Sequence, residues 1–222
     1  MADIFREVDE DLRRESAEKL WRKYGTFIIA AAVALVLATA GWVGWREWSE
    51  SRLAADGLRF AEAVESARTG QADAASDTLT TIADRGAGDY PLLARLRLAA
   101  LRADAGDAAG AIALYRSVAD DGSARAPYRD LAIVMLAMHG LDSEDPQALL
   151  ARLQPLLAAS HMRFSAMEMT ALLHHRAGDD AQALEVLTRL LDAGAAVPEP
   201  MRDRAQRLRR ILGGEAQGTV AG

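Results

Sequence analysis

The chain has 222 residues, half of them apolar, with 26 basic and 32 acidic side chains and a formal net charge of −6. This acidic balance argues against a nucleic-acid-binding protein, which needs a basic face. The absence of cysteine excludes disulfides, thiolate metal sites and a cysteine nucleophile.

An uncharged run from Tyr24 to Trp45 is the first clear element of the chain. Twenty helical residues rise about 30 Å, which is the thickness of the hydrocarbon layer of a bilayer. The run therefore predicts a transmembrane helix at residues 24–45 and a lipid bilayer as its surroundings. Two alternatives stay open, namely a signal peptide cleaved at Ala38-Thr39-Ala40 and a helix buried in a soluble protein.

Basic residues near the ends of a membrane helix set its orientation. Six of them precede the run, and only three occur in the twenty residues after it. We therefore expect residues 1–23 to form a cytoplasmic tail and the rest of the chain to lie across the membrane. The tail is long and rich in acid, which argues against a signal peptide. Trp42, Trp45 and Trp48 cluster at the exit, where amphipathic rings favour the headgroup zone.

Small residues recur on one face of the predicted transmembrane helix. Ala30, Ala34 and Ala38 lie four residues apart, a spacing that lets membrane helices approach each other closely. We predict a helix–helix contact on this face, although an alanine-rich segment also produces such a stripe by chance.

Four glycine turns recur along the rest of the chain, at positions 70, 106, 140 and 178. Their intervals of 36, 34 and 38 residues separate stretches with helical periodicity. We predict an all-α protein with one repeat domain at 46–212 and a disordered tail at 213–222. The predicted helices pair as 51–68 with 72–84, 91–105 with 108–120, 127–139 with 146–159, and 163–176 with 180–192. A last helix at 200–212, with a polar outer face, caps the array.

Period and turn chemistry resemble those of tetratricopeptide repeats, whose second helix carries a small residue followed four positions later by a large one. Three pairs in this chain fit that pattern: Ala75 with Leu79, Ala111 with Tyr115, and Ala183 with Leu187. We therefore expect a tetratricopeptide-like solenoid. Asp145-Pro146 is typical of a helix start, with an N-cap followed by proline. Pro155 should kink or shorten the helix that contains it, and we expect the third pair to be the least regular.

No residue pattern indicates catalysis, a metal site or a cofactor. His174 and His175 are adjacent and point about 100° apart in a helix, so they cannot share a metal. His139 and His161 have no partner at ligand spacing. Nucleophile-elbow, phosphate-loop and zinc-protease motifs are absent from the sequence. We predict a non-enzymatic protein without a cofactor or a small-molecule substrate.

Helical-repeat solenoids bind partners on the concave surface formed by the first helix of each pair. Counting back from each glycine predicts a mostly apolar groove, which suits an extended or helical apolar segment. Packing between repeats explains the same side chains equally well. The candidate groove residues are Phe60, Val64, Leu93, Leu96, Val134, Met138, Glu168, Leu172 and His175.

The layout of charged tail, apolar helix and repeats resembles that of one known family. Gly44-Trp45-Arg46-Glu47-Trp48 looks like the G-W-R-x-W of the ancillary subunit of the SecYEG translocon, and the run from Asp3 to Glu10 is similar to its alphaproteobacterial branch. The resemblance implies a bacterial inner-membrane protein with a periplasmic repeat domain.

The same resemblance implies two protein partners, the SecYEG channel and a membrane-anchored periplasmic foldase of the peptidyl-prolyl isomerase type. It further implies a non-enzymatic role in handing exported proteins to periplasmic chaperones. The residues themselves also allow a periplasmic scaffold for envelope assembly or cell division. The translocon hypothesis predicts an intact anchor and copurification with channel subunits. The scaffold hypothesis predicts cell-wall or division partners and tolerates a cleaved N-terminus.

Overall fold

The computed structural model describes the backbone of residues 3–219 and the side chains of residues 21–213. Within these limits the chain contains ten α-helices, one short 3₁₀ helix and no strand, which confirms the predicted all-α class. The helices are α1 Asp3–Arg68, α2 Ala72–Arg85, α3 Tyr90–Asp104, α4 Ala108–Ala119, α5 Ala126–His139, α6 Pro146–Leu153, α7 Leu156–Ala159, α8 Arg163–Arg176, α9 Asp180–Asp192 and α10 Glu199–Thr219. The 3₁₀ helix, Gly194–Ala196, precedes α10.

The chain divides into two compact units, residues 1–54 and 55–222. Within the described residues the first unit consists of α1 up to residue 54, and it contains the whole apolar run. The second unit contains the last part of α1, residues 55–68, and the helices that follow it. Most of the predicted cytoplasmic tail, 1–23, and nearly all of the predicted disordered tail, 213–222, lie outside the residues with described side chains.

Three of the four glycine turns use a left-handed backbone. Gly70, Gly106 and Gly178 have φ angles of 86°, 83° and 79°, a region that favours glycine because a Cβ would be strained there. The residue after each glycine donates its amide hydrogen to the carbonyl of the residue five positions before that donor, as in the typical helix end that glycine forms. Gly140 differs, with a φ of −89°. A longer loop follows it, and the third pair is therefore the irregular one, as predicted.

The small and large residues of the repeat pattern lie in the interior. Ala75, Ala111 and Ala183 are 0% exposed, and the residues four positions after them are at most 2% exposed. An alanine at this position lets the two helices of a pair approach, and the larger side chain fills the space beside them. The structure thus confirms the predicted repeat register in α2, α4 and α9.

The third pair begins and breaks where the sequence predicts. The carboxylate of Asp145 accepts hydrogen bonds from the amides of Gln147 and Ala148, at 3.4 and 3.1 Å, and so caps α6. Pro155 lies between the end of α6 and the start of α7. Because proline has no amide hydrogen and crowds the preceding turn, it divides the predicted helix 146–159 into two short helices.

One arginine ties the loop after α5 to α8. Arg176 donates hydrogen bonds to the carbonyl oxygens of Leu141, Asp142 and Glu144. These carbonyls belong to the loop between α5 and α6, outside any helix, and the guanidinium supplies hydrogen bonds to all three. The irregular loop is thereby attached to the following repeat.

The last helix closes the array on α9. Ala205 and Leu212 are almost fully buried and share a core cluster with Leu187 and Leu190 of α9. Val197, which follows the 3₁₀ helix, joins the same cluster. The predicted capping helix at 200–212 is therefore present as part of α10, with its apolar stripe against α9 as expected.

Candidate functional site

One helix in the described part of the chain is long and apolar enough to cross a membrane. No residue of its most apolar window is buried inside the structure, and Phe27 is 74% and Leu35 69% exposed. Contiguous apolar surface of this kind typically marks contact with a membrane or a partner. A signal sequence near the N-terminus meets the same criteria of length and hydropathy, and the mature N-terminus distinguishes the two.

Aromatic and charged side chains cluster at the end of the apolar run. The rings of Trp45 and Trp48 lie 5.3 Å apart, and the guanidinium of Arg52 lies 5.0 Å from the ring of Trp48. Arg46 pairs with Glu50 at 2.6 Å. Such amphipathic groups suit the headgroup zone of a bilayer.

Ala30, Ala34 and Ala38 lie on one exposed face of α1. Their exposure is compatible with the packing contact that their spacing predicts, and equally with contact to lipid. A contact through these three alanines stays a prediction, and no partner helix is present to test it.

Five of the nine predicted groove residues lie largely inside the array. Phe60 packs at the edge of the cluster shared by α1, α2 and α3, and Leu96 packs against two core clusters. Val134 is 7% exposed. Val64 and Leu93 are half-buried. The structure therefore gives Phe60, Leu96 and Val134 contacts within the array, the alternative that the sequence left open.

The other four predicted groove residues reach the surface or a groove. Met138 is 44% exposed. His175 is also exposed, and its Nδ1 lies 2.7 Å from Oδ1 of Asp180. Glu168 and Leu172 lie side by side on α8 and line a groove. Which of the nine residues contact a partner stays a prediction.

The groove lies between α8 and α10 and has a volume of about 360 Å³. Leu187 and Ala205 form its buried floor, and Ile211 lies at its rim with 57% of its surface exposed. Most of its lining is apolar. We call it the α8–α10 groove, and it is lined by Glu168, Leu172, Leu187, Arg204, Ala205, Arg207, Leu208 and Ile211.

An ion pair between Glu168 and Arg204 joins the two walls of the groove. Arg204 Nε and Nη2 donate to the two carboxylate oxygens of Glu168 at 2.7 and 2.9 Å. The Glu168 side chain is only 11% exposed, whereas that of Arg204 is 51% exposed. The hydrogen bond to Glu168, and then its negative charge, raise the pKa of Arg204 above its usual value. The pair fixes the guanidinium plane, and among the residues with described side chains Nη1 has no hydrogen-bond partner.

Sequence reasoning missed the contribution of α10 to this groove. It interpreted the arginine-rich helix as a polar cap only, so Arg204, Arg207, Leu208 and Ile211 were not candidates. The available signal was Glu168, a carboxylate among the apolar positions of a first helix. Its partner lies 36 residues further on, where no local pattern points.

Among the residues with described side chains, no group of three histidine, aspartate or glutamate residues lies close enough to hold a metal ion. His139 stacks on the ring of Tyr115, with centroids 5.4 Å apart.

The α8–α10 groove presents apolar surface beside arginine side chains, a combination suited to holding a peptide segment.

Paired helices that meet through a small and a large residue, closed by a capping helix with a groove beside it, define a tetratricopeptide-type interaction fold. The chain matches the model of the tetratricopeptide repeat-like domain family over residues 18–169 and belongs to that family. This match includes the apolar run as well as most of the repeats.

Solved structures with this fold resemble the chain. One is a Podosopora anserina protein described as a kinesin light chain with nearly identical TPR-like repeats, with 17% identity and a TM-score of 0.56 over 72% of this chain and 88% of that one. Another is MamA, with 15% identity and a TM-score of 0.52 over 75% and 94%. At these identities the likeness shows the fold alone. No curated protein matches the sequence.

Proposed function

We propose that this chain is a membrane-tethered protein-interaction module that serves as an accessory subunit of the SecYEG translocon. Its apolar helix anchors it in the bacterial inner membrane with the N-terminus in the cytoplasm. Its repeat domain lies in the periplasm and passes exported proteins to chaperones, among them a membrane-anchored peptidyl-prolyl isomerase. It carries out no chemistry itself.

The observation that carries this proposal is the joint occurrence of anchor and repeats. The family match begins at residue 18, before the apolar run, and continues through the repeats to residue 169. The apolar helix and the repeats lie within one family match, so the helix is part of the same domain type as the repeats, which favours a tether over an unrelated N-terminal segment. Tetratricopeptide-like folds typically serve as interaction scaffolds. A tether beside a channel raises the effective concentration of such a scaffold where chains emerge.

The experiment is a mild-detergent pull-down of the tagged full-length chain with mass spectrometry of the proteins that accompany it. We expect the channel subunits and the anchored isomerase. In a matched control, an unrelated apolar helix of equal length replaces residues 24–45, so anchoring is kept and the specific helix is lost. We expect the channel subunits to be lost with it. Recovery of cell-wall or division proteins instead would favour the envelope scaffold and contradict the translocon assignment.

The absence of cysteine makes orientation simple to test, because single-cysteine variants need no background removal. We expect a membrane-impermeant maleimide added to spheroplasts to label Ser51→Cys and to leave Ser16→Cys unlabelled until the membrane is opened. Sequencing of the mature N-terminus completes the test. A chain that begins near Gly41 would show cleavage and contradict the anchor.

A further inference from the structure

The α8–α10 groove is lined by two arginines and only one carboxylate, that of Glu168, so its lining carries a net positive charge. Arg207 lines the groove, is exposed, and makes no hydrogen bond or ion pair among the residues with described side chains. Arg204 donates to Glu168 through Nε and Nη2, and its Nη1 has no acceptor among the residues with described side chains. In a chain of net charge −6, this is a local excess of positive charge beside apolar surface.

The apolar part of the groove has room for an occupant. Leu172, Leu187, Leu208 and Ile211 supply most of the lining, and the volume of about 360 Å³ falls in the range of ligand sites, about 300–1,000 Å³. Ile211 keeps 57% of its surface exposed, although it lies beside apolar neighbours. An apolar side chain of a partner inserted here would be buried itself and would also cover the exposed surface of Ile211.

The walls of the groove also indicate the shape of the occupant. Arg204, Leu208 and Ile211 follow one another at helical spacing along one face of α10, and Glu168 and Leu172 do so along α8. Two helices with such faces form the channel into which a third helix packs through its own apolar positions, spaced three and four apart.

We propose that the α8–α10 groove binds an acidic amphipathic helix of a partner protein, whose apolar face enters the groove and whose carboxylates pair with Arg207 and with Nη1 of Arg204. This inference rests on the proposed function, because it names the chemistry of a segment that the interaction module holds. Charge complementarity selects this occupant over a neutral or basic helix of equal hydrophobicity.

The test uses the full-length chain in nanodiscs of neutral phosphatidylcholine and three fluorescein-labelled amphipathic peptides. All three peptides carry leucine at the same spacing, and their flanking positions are glutamate, glutamine or lysine. We expect fluorescence anisotropy to show the glutamate peptide binding about three- to tenfold more tightly than the glutamine peptide. Added salt should reduce this preference, and empty nanodiscs should show none.

Charge reversal separates recognition from folding. Arg207→Glu should invert the preference, so that the lysine peptide becomes the tightest ligand, which an unfolded variant cannot do. Arg209→Glu is the matched control, since Arg209 is exposed on the same helix and does not line the groove. Its peptide preferences should stay within about twofold of those of the unaltered chain.

The apolar contribution is tested in the same way. Ile211→Ala should weaken all three peptides by a similar factor, about three- to tenfold, because it removes apolar surface and no charge. Leu58→Ala, at a position that is 69% exposed and does not line the groove, is its control.

Three results would overturn the inference: equal affinity for the glutamate and lysine peptides, equal effects of Arg207→Glu and Arg209→Glu, or self-association of the chain that Ile211→Ala abolishes without any peptide binding. The assay contains no channel and is therefore independent of the pull-down. Peptide preferences without channel subunits in the pull-down would refute only the translocon assignment. Channel subunits without peptide preferences would refute only the groove inference.

Discussion

The Glu168–Arg204 pair should respond very unequally to the loss of one partner or the other. Arg204→Met keeps most of the aliphatic stem and removes the charge, which leaves a carboxylate that is only 11% exposed without its two hydrogen bonds. Glu168→Met leaves a guanidinium that is 51% exposed and that water can solvate. The buried group, not the pair as such, decides the loss of stability.

The magnitudes follow from these exposures. Breaking one side of a fully buried pair costs about 3–5 kcal/mol. Because water reaches this groove and half of Arg204 is exposed, we expect Arg204→Met to lower the free energy of unfolding by about 2–3 kcal/mol. Glu168→Met should lower it by about 0–1 kcal/mol. The double variant contains no unpaired charge and should lie within about 1 kcal/mol of the unaltered chain, a coupling of about 2 kcal/mol.

Urea unfolding of the nanodisc-embedded full-length chain, followed by far-UV circular dichroism, measures these differences. Tryptophan fluorescence would not report them, since all four tryptophans lie between residues 21 and 48. With an m-value of about 2 kcal/mol/M, Arg204→Met should lower the urea midpoint by about 1 M. Arg68→Met is the control, because the Arg68–Glu65 pair is 74% and 58% exposed. Equal costs for the two single variants, or additive costs in the double variant, would refute the reasoning.

Three further predictions concern the repeats and use the same urea assay. Ala111→Leu should destabilise by about 1–3 kcal/mol, because Ala111 is 0% exposed between paired helices, whereas the exposed Ala109→Leu should have little effect. Gly178→Ala should cost about 1 kcal/mol or more because φ is 79°, and Gly122→Ala, where a Cβ meets nothing within 4 Å, should be neutral or slightly stabilising. Burial raises the pKa of Tyr115 above its usual 10.0. As the pH rises above about 10, the unfolded chain therefore loses the tyrosine proton before the folded chain does, and the free energy of unfolding should fall. Tyr115→Phe should flatten that decline, and an unchanged slope would contradict it.

Local patterns were enough to predict most of the helices. The bounds of α8 and α9 agree with the prediction, because a left-handed glycine ends the one and an aspartate cap begins the other within a few residues. Pro155 divides its helix for an equally local reason, the missing amide hydrogen. The 3₁₀ helix before α10 was not predicted, although its first residue, Gly194, has a left-handed φ of 58° like three of the glycine turns.

The candidate site was only partly predictable. Glu168 and Leu172 were chosen from their position on a first helix, and the structure places both in the α8–α10 groove. Phe60, Leu96 and Val134 were chosen by the same count, and the structure packs them within the array. A count along the chain finds the face of a helix, but it does not show how far the neighbouring helix covers that face.

The order of amino acids was enough to define the apolar helix, the helical class and the capped ends, because each depends on residues within one or two turns of each other. The repeat register also followed from the sequence, because the glycine turns recur at intervals of 36, 34 and 38 residues. The packed structure was needed to show which first-helix side chains are covered, that Arg204 meets Glu168 across 36 residues, and that α10 forms one wall of a groove. These features depend on the angles at which successive helices pack. Those angles arise from the summed contacts of many side chains and leave no periodic pattern in the sequence.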